Sequence, residues 1–244
     1  MMSDGELSRR GVIGRIGLAA GAVLVAATAV SGKEKKAAEG KEKGKEEVKV
    51  TPPEDLMREH AVLERLLLIY ERALSAGSRP ADWPMPQLAD ATRLIRTFIE
   101  DYHEKLEEDY IFPQFEKAGR LTDLTDVLRK QHEAGRRVTD AIIGQIKQAG
   151  SATDTQALAN NLRGFIRLYR PHAARESTVL FPQIGAVVAP KEYDEMGDRF
   201  EEIEHQKFGQ AGFEGVVEKV AELEKSLGIH DLASFTPAPS QIAK

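Results

Sequence analysis

Cysteine is absent from all 244 residues. That excludes disulfides, thiolate metal sites, iron–sulfur clusters and a lipid-bearing cysteine, and it leaves the compartment open, because an exported protein need not carry disulfides. An excess of one charge sign is also lacking: 34 Lys and Arg against 39 Asp and Glu give a net charge of -5. An acidic surface does not attract phosphates or acidic headgroups, so neither nucleic acid nor an anionic membrane is an expected partner. Strand patterning is missing as well. No segment alternates apolar and polar residues with period two; what recurs is a spacing of three and four. At 41% hydrophobic residues there is enough apolar material for a buried core.

A long apolar run occurs only near the N-terminus. A short polar stretch with Arg9-Arg10 leads, after Arg15, into "IGLAAGAVLVAATAV", and Ala27-Thr28-Ala29 places small residues at cleavage spacing. Residues 1–31 therefore read as a signal peptide, and the mature domain is expected without stable membrane insertion. The run is shorter than the ~20 apolar residues a span needs, which makes an uncleaved N-terminal anchor the second reading. "SRRGVIG" resembles a twin-arginine export signal, with Gly11 and Val12 where a bulky apolar residue is common. That resemblance implies export after folding, to the periplasm of a bacterium. The following segment, 32–51, contains "KEKKAAEGKEKGKEEVK", whose mixed charges cannot bury enough surface to fold, and reads as a flexible linker.

Residues 52–229 read as one helical domain. Thr51-Pro52-Pro53-Glu54 has the spacing of a capping box with proline in the first turn. In the first helix Leu56, His60, Leu63, Leu67, Tyr70 and Leu74 share a face, before Gly77 and Pro80. The second carries Leu88, Ile95, Ile99, His103, Leu106, Glu107 and Tyr110. In the third the stripe is Leu124, Leu128, His132, Gly135, Val138, Ile142 and Ile146; in the fourth, Leu158, Leu162, Phe165, Tyr169, His172, Glu176 and Val179. Short connections favour antiparallel neighbours, so the expected fold is all-α: an up-down-up-down antiparallel four-helix bundle over 53–185. One or two additional C-terminal helices are expected over 190–228, followed by a loose tail, 230–244. Pro113 and Pro182 are expected to bend or end their helices, and Pro171 to kink the fourth.

The second and fourth segments repeat a phrase. "HEKLEEDYIFPQ" from His103 and "HAARESTVLFPQ" from His172 both read His-x-x-x-Glu and then run into Phe-Pro-Gln. With His60 and His132, each helix puts one histidine on its core stripe, and two helices add a glutamate one turn further on. A buried carboxylate costs several kcal/mol unless something compensates it. A metal ion does so. Residues i and i+4 on a helix lie about 6 Å apart at Cβ, close enough to fill neighbouring coordination positions. Imidazole with carboxylate suits iron, manganese or zinc. Two half-sites then follow, His60 with His103 and His132 with His172, with Glu107 and Glu176 bridging ions about 3.5–4 Å apart.

That order over about residues 53–185, together with "KQHEAGRR" around His132 and "HAARESTVLFP", resembles the hemerythrin-like, His-His-Glu (HHE) cation-binding domains. The resemblance implies a four-helix bundle holding two iron ions as a non-heme di-iron centre, oxo- or hydroxo-bridged, with manganese and zinc ranking below iron. It also implies a diatomic or peroxide ligand: O2, NO or peroxide. This chain departs from the oxygen-carrying hemerythrins at Arg136, where they place a second third-helix histidine. His205, in "EEIEHQKFG", is a candidate to replace it, although it lies two residues past Ile203 and so points roughly 200° from that helix's apolar stripe. Of about twelve positions on two six-coordinate irons, five histidines leave one open and four leave two.

The expected function is that of an exported di-iron protein binding O2 or a related ligand for storage, sensing or protection. Two others stay open: a di-iron enzyme decomposing peroxide or reducing NO, and a metal-free structural bundle. Tyr70, Tyr102, Tyr110 and Tyr169 are candidates to hydrogen-bond a bound oxygen species, with helix packing the commoner role. For Glu64, Glu104 and Glu108 the expected roles are solvation or support of the ligands.

Overall fold

The computed structural model describes residues 50–77, 79–148 and 152–238; the expected signal peptide and nearly all of the charged linker lie outside the described residues. Within them the chain forms helices and no strand. α1 is Pro52–Leu74, α2 spans 85–118, α3 is Thr122–Gln148 and α4 spans 152–186; α5 (Pro190–Phe208) and α6 (Gly212–Leu227) follow. The helix ends obey local chemistry. Thr51 is extended, its hydroxyl accepts the Glu54 N–H at 3.4 Å, and proline follows it, where a missing N–H costs nothing. Gly119 closes α2 in the left-handed region at φ 63°, letting the Arg120 N–H reach back to the Phe115 carbonyl at 3.0 Å. Among the described residues no helix is long and apolar enough to cross a membrane.

Side-chain pairs show how the first four helices lie. Thr92 meets Tyr70 while His103, further along α2, meets Glu59, earlier on α1. Glu100 meets Thr139 and Glu116 meets Arg129 between α2 and α3; Gln131 meets His172 and Gln145 meets Asn161 between α3 and α4. Between α4 and α1, Phe165 packs on Tyr70 and Ser177 meets His60. α6 covers the outside of α1 through a bidentate Arg65–Glu224 pair at 2.8 and 2.7 Å. Glu204 of α5, fully buried, accepts the Phe213 N–H at 3.0 Å and so caps the start of α6.

α2 and α4 are not uniform. In both, the ligand-candidate glutamate opens a π turn, Glu107–Ile111 and Glu176–Leu180, closed by N–H bonds from Phe112 to Glu107 and from Phe181 to Glu176. One residue beyond each closing N–H stands a proline, Pro113 or Pro182, which has no N–H and whose ring would collide with the carbonyl four residues back in a tight α turn; α2 also has an earlier π stretch, Ile95–His103, with no proline behind it. Pro113 does not end its helix, which continues to Ala118, while the fourth tightens into a 3-10 turn, Phe181–Ala186. The extra residue also shifts the inward face by one. Ile111 and Leu180 are buried in place of the expected Tyr110 and Val179, which are only partly so. Pro171, in contrast, lies inside α4, which continues past it to Arg175.

α3 and α4 approach closely at Gly135. A Cβ there would lie 2.0 Å from the Tyr169 hydroxyl and 2.6 Å from the ring carbon bearing it. Alanine in a helix interior ordinarily stabilises relative to glycine by up to about 1 kcal/mol. Here the sign reverses. Gly135→Ala is expected to cost about 1–3 kcal/mol through overpacking. Thermal unfolding should show a lowered Tm, partly restored when Tyr169→Phe removes the nearest atom.

Candidate metal centre

Four imidazoles and two carboxylates from four helices meet in the interior. His60, His103, Glu107 and Glu176 each bring a ligand atom within 4.8 Å of the others, and so do Glu107, His132, His172 and Glu176. The two groups share the same two glutamates. All six side chains are buried, with Glu107, His132 and Glu176 at 0% exposure.

The two repeats exchange contacts. Glu107 of α2 has one oxygen 3.6 Å from Nε2 of its own helix's His103 and the other 3.4 Å from His132 on α3. Glu176 of α4 lies 3.1 Å from His172, 3.2 Å from His60 on α1 and 3.9 Å from His132. The phenylalanines of the two Phe-Pro steps cross over in the same way. Phe181 stacks on His60 at 5.2 Å and Phe112 on His132 at 5.6 Å, which fixes the ring planes and excludes water from their backs.

Every histidine is also held from behind. Nδ1 meets Ser177 Oγ at 2.8 Å for His60, Glu59 Oε2 at 2.8 Å for His103, Glu108 Oε1 at 3.0 Å for His132 and Gln131 Oε1 at 2.9 Å for His172. Where the partner can only accept, as the carboxylates of Glu59 and Glu108 and the amide oxygen of Gln131 do, Nδ1 carries the proton and the Nε2 lone pair is aimed inward; the Ser177 hydroxyl behind His60 can donate as well as accept. His132 and His172 then face each other with Nε2 atoms 3.1 Å apart. Two lone pairs at that distance repel; two ligands at adjacent positions about 2.1 Å from one ion stand about 3 Å apart.

The electrostatics agree. Burial pushes His60, His103 and His132 down to about 4, so all three are neutral and able to donate a lone pair at neutral pH. Burial and then the neighbouring Glu176 push Glu107 well above the usual carboxylate range. At Glu176 the upward push of burial is outweighed where His172 and His60 turn a ring proton toward its oxygens, which holds it well below that range. Beyond the imidazole contacts, both oxygens of Glu107 and of Glu176 make no hydrogen bond, and neither does His103 Nε2. Native interiors rarely leave so many polar atoms unsatisfied in one place. A cation satisfies them together, and the nitrogen and oxygen donors present fit iron, manganese or zinc.

The remaining candidates fall elsewhere. His205 is half-buried on α5 and belongs to neither group, because that helix turns Glu204 inward instead. Arg136 lies beside Glu104 at 2.7 Å and Glu108 at 2.8 Å. Against the push of burial, hydrogen bonds from His132, Lys105 and Arg136 hold Glu108 well below the usual range. Glu64 pairs with Arg170 at the surface. Each of the four tyrosines is engaged by protein: Tyr70 with Thr92, Tyr102 with Glu204, Tyr169 with Glu104, and Tyr110 with Arg199. Sequence reasoning missed Glu59, Gln131 and Ser177. Their only signal is position, immediately before a helix histidine or immediately after a glutamate of the pair.

The hemerythrin HHE cation-binding domain model matches residues 51–184. Uncharacterized proteins of Mycobacterium bovis and of two Mycobacterium tuberculosis strains are each 49% identical over 197 residues, covering 79% of this chain and 76% of the relative. No solved structure gives a significant match. With the family match spanning more than half of the chain and falling on the helices that carry the clustered histidines and glutamates, this protein belongs to the hemerythrin HHE cation-binding domain family.

Proposed function

We propose that this chain is an exported hemerythrin-like protein whose first four helices form an up-down-up-down bundle around two non-heme iron ions. His60 and His103 would hold one ion and His132 and His172 the other, with Glu107 and Glu176 available to both. The centre binds O2 or a related small ligand, peroxide or NO, for storage, sensing or protection. The observation that carries this reading is the pair of four-residue groups sharing both glutamates. Export rests on Arg9-Arg10 and the apolar run behind it.

Iron held by imidazole and carboxylate supplies a redox-active centre with positions left for a small ligand. The protein's own part is to prepare those donors. Glu59, Glu108, Gln131 and Ser177 fix the ring orientations, and the π turns set the two glutamates. Phe112 and Phe181 keep water from the imidazoles they cover. Four histidines without His205 leave two open positions by the coordination count.

Purified protein from iron-fed cells is expected to hold about two iron ions per chain and to change its optical spectrum on exposure to O2. His132→Ala should bring the content to about one ion or fewer, since it removes a ligand and leaves Glu107 facing nothing in its place. Fewer than about one iron in the unaltered protein would refute the reading.

Metal removal should also expose a pH dependence. Glu104 is pushed up to about 8 by burial, and Glu107 well above 4.5 by burial and Glu176. Both bind protons in the folded state that the unfolded chain, titrating near 4.5, has already released. Stability therefore falls as pH rises through that window. The three neutral histidines oppose this fall only weakly, because above 6.5 the unfolded chain too has lost most of its imidazole protons. The Tm of chelator-treated protein is thus expected to fall from pH 6.5 to 8. The metal-loaded protein, whose Glu107 charge is compensated, should change less over the same range.

A further inference from the structure

The four imidazoles are not backed alike, and the difference is distributed in a particular way. Glu59 and Gln131 occupy the same place in the two repeats, each just before the histidine of its helix. Glu108 and Ser177 also correspond, each just after a glutamate of the pair. At each place one repeat carries a carboxylate and the other a neutral group, but the carboxylate is in the first helix at one place and in the second at the other. Glu59 reaches across to His103 and Glu108 across to His132. Each group of four therefore holds one imidazole backed by a carboxylate and one backed by a neutral oxygen: His103 with His60, and His132 with His172. Both carboxylates belong to the first helix pair, α1–α2, yet the crossing contacts give one of them to each group.

A carboxylate that accepts the Nδ1–H raises the basicity of Nε2 and pins the ring, and losing such a partner typically weakens metal binding 10–100-fold. Both contacts are shielded from water: Glu59 is fully buried, and Glu108, with its side chain 11% exposed, is tied down by Lys105 and Arg136. We infer that Glu59 and Glu108 are positioning residues, one for each ion, so that Glu59 governs affinity at His60 and His103 and Glu108 governs it at His132 and His172. The inference rests on the two-ion reading above.

The test is a Zn2+ titration of the metal-free full chain by calorimetry, with helicity and Tm recorded beforehand. Glu59→Gln and Glu108→Gln keep size and an acceptor oxygen while removing charge. Each is expected to retain one ion at wild-type affinity and to weaken the other about 10–100-fold, at unchanged helicity. In a His60→Ala background, which spares His132 and His172, adding Glu59→Gln should leave the remaining ion untouched, whereas adding Glu108→Gln should weaken it. Either single variant binding both ions at wild-type affinity, or losing both equally, overturns the inference. So does Glu59→Gln weakening the ion that His60→Ala retains. If buried Glu59→Gln fails to fold, Glu108→Gln, at a position that reaches solvent, decides by the same criteria. Wild-type protein that takes up no metal overturns the two-ion reading and this inference with it; wild-type protein that binds two ions, with unaltered variants, overturns this inference alone.

Discussion

Two glutamates fully removed from water, lying against each other and against four imidazoles, set the terms for the rest of this molecule. Left to themselves, two adjacent carboxylates in a low-dielectric interior cannot both stay ionised. The surroundings do not relieve them with arginine or lysine. Arg136 and Lys105, which approach this region, are spent on Glu104 and Glu108. The donors that do face Glu107 and Glu176 carry lone pairs of their own. An interior that gathers only electron-pair donors is stable when a cation completes it, and costly otherwise.

The same demand explains why the four helices depend on one another. Neither repeat is self-sufficient: Glu107 needs His132 from the second, Glu176 needs His60 from the first, and the stacked phenylalanines cross over as well. The π turns belong to this arrangement. A helix that keeps strict α geometry through Glu-x-x-x-x-Phe-Pro would drive the proline ring into the carbonyl behind it. Widening that turn at the glutamate relieves the clash and moves Ile111 and Leu180 inward. Proline alone is not sufficient, as Pro171 shows by sitting in an ordinary α segment.

Much of this was legible from spacing. Histidine one turn before glutamate, set on a stripe of apolar residues, pointed all six side chains toward one interior, and pairing the histidines of consecutive helices gave the two groups that share both glutamates. What spacing could not carry was anything that depends on the exact angle per residue. A period of 3.6 puts Tyr110 and Val179 inward; one π turn is enough to replace them with their neighbours. The partners behind the histidines were hidden for another reason. Glu59, Gln131 and Ser177 bond across helices rather than along one, so no periodicity within a single segment marks them.

Arg136 and His205 bear on why this interior gathers four imidazoles and not five. A helix pointing Glu204 into its neighbours to cap α6 must turn the next residue, His205, about 100° away. Serving both would require breaking the cap. Arg136 uses its place on α3 differently, extending toward α2, where one guanidinium nitrogen meets both Glu104 and Glu108. Through Glu108 it steadies His132, and through Glu104 it steadies Tyr169, whose ring fits only because residue 135 is glycine. A fifth imidazole at 136 would add a donor but leave buried Glu104 without its cation and Glu108 with Lys105 alone. The network around Arg136 therefore ties a four-histidine arrangement to the close packing of α3 on α4, so that the donor count and the packing of the bundle cannot be changed independently.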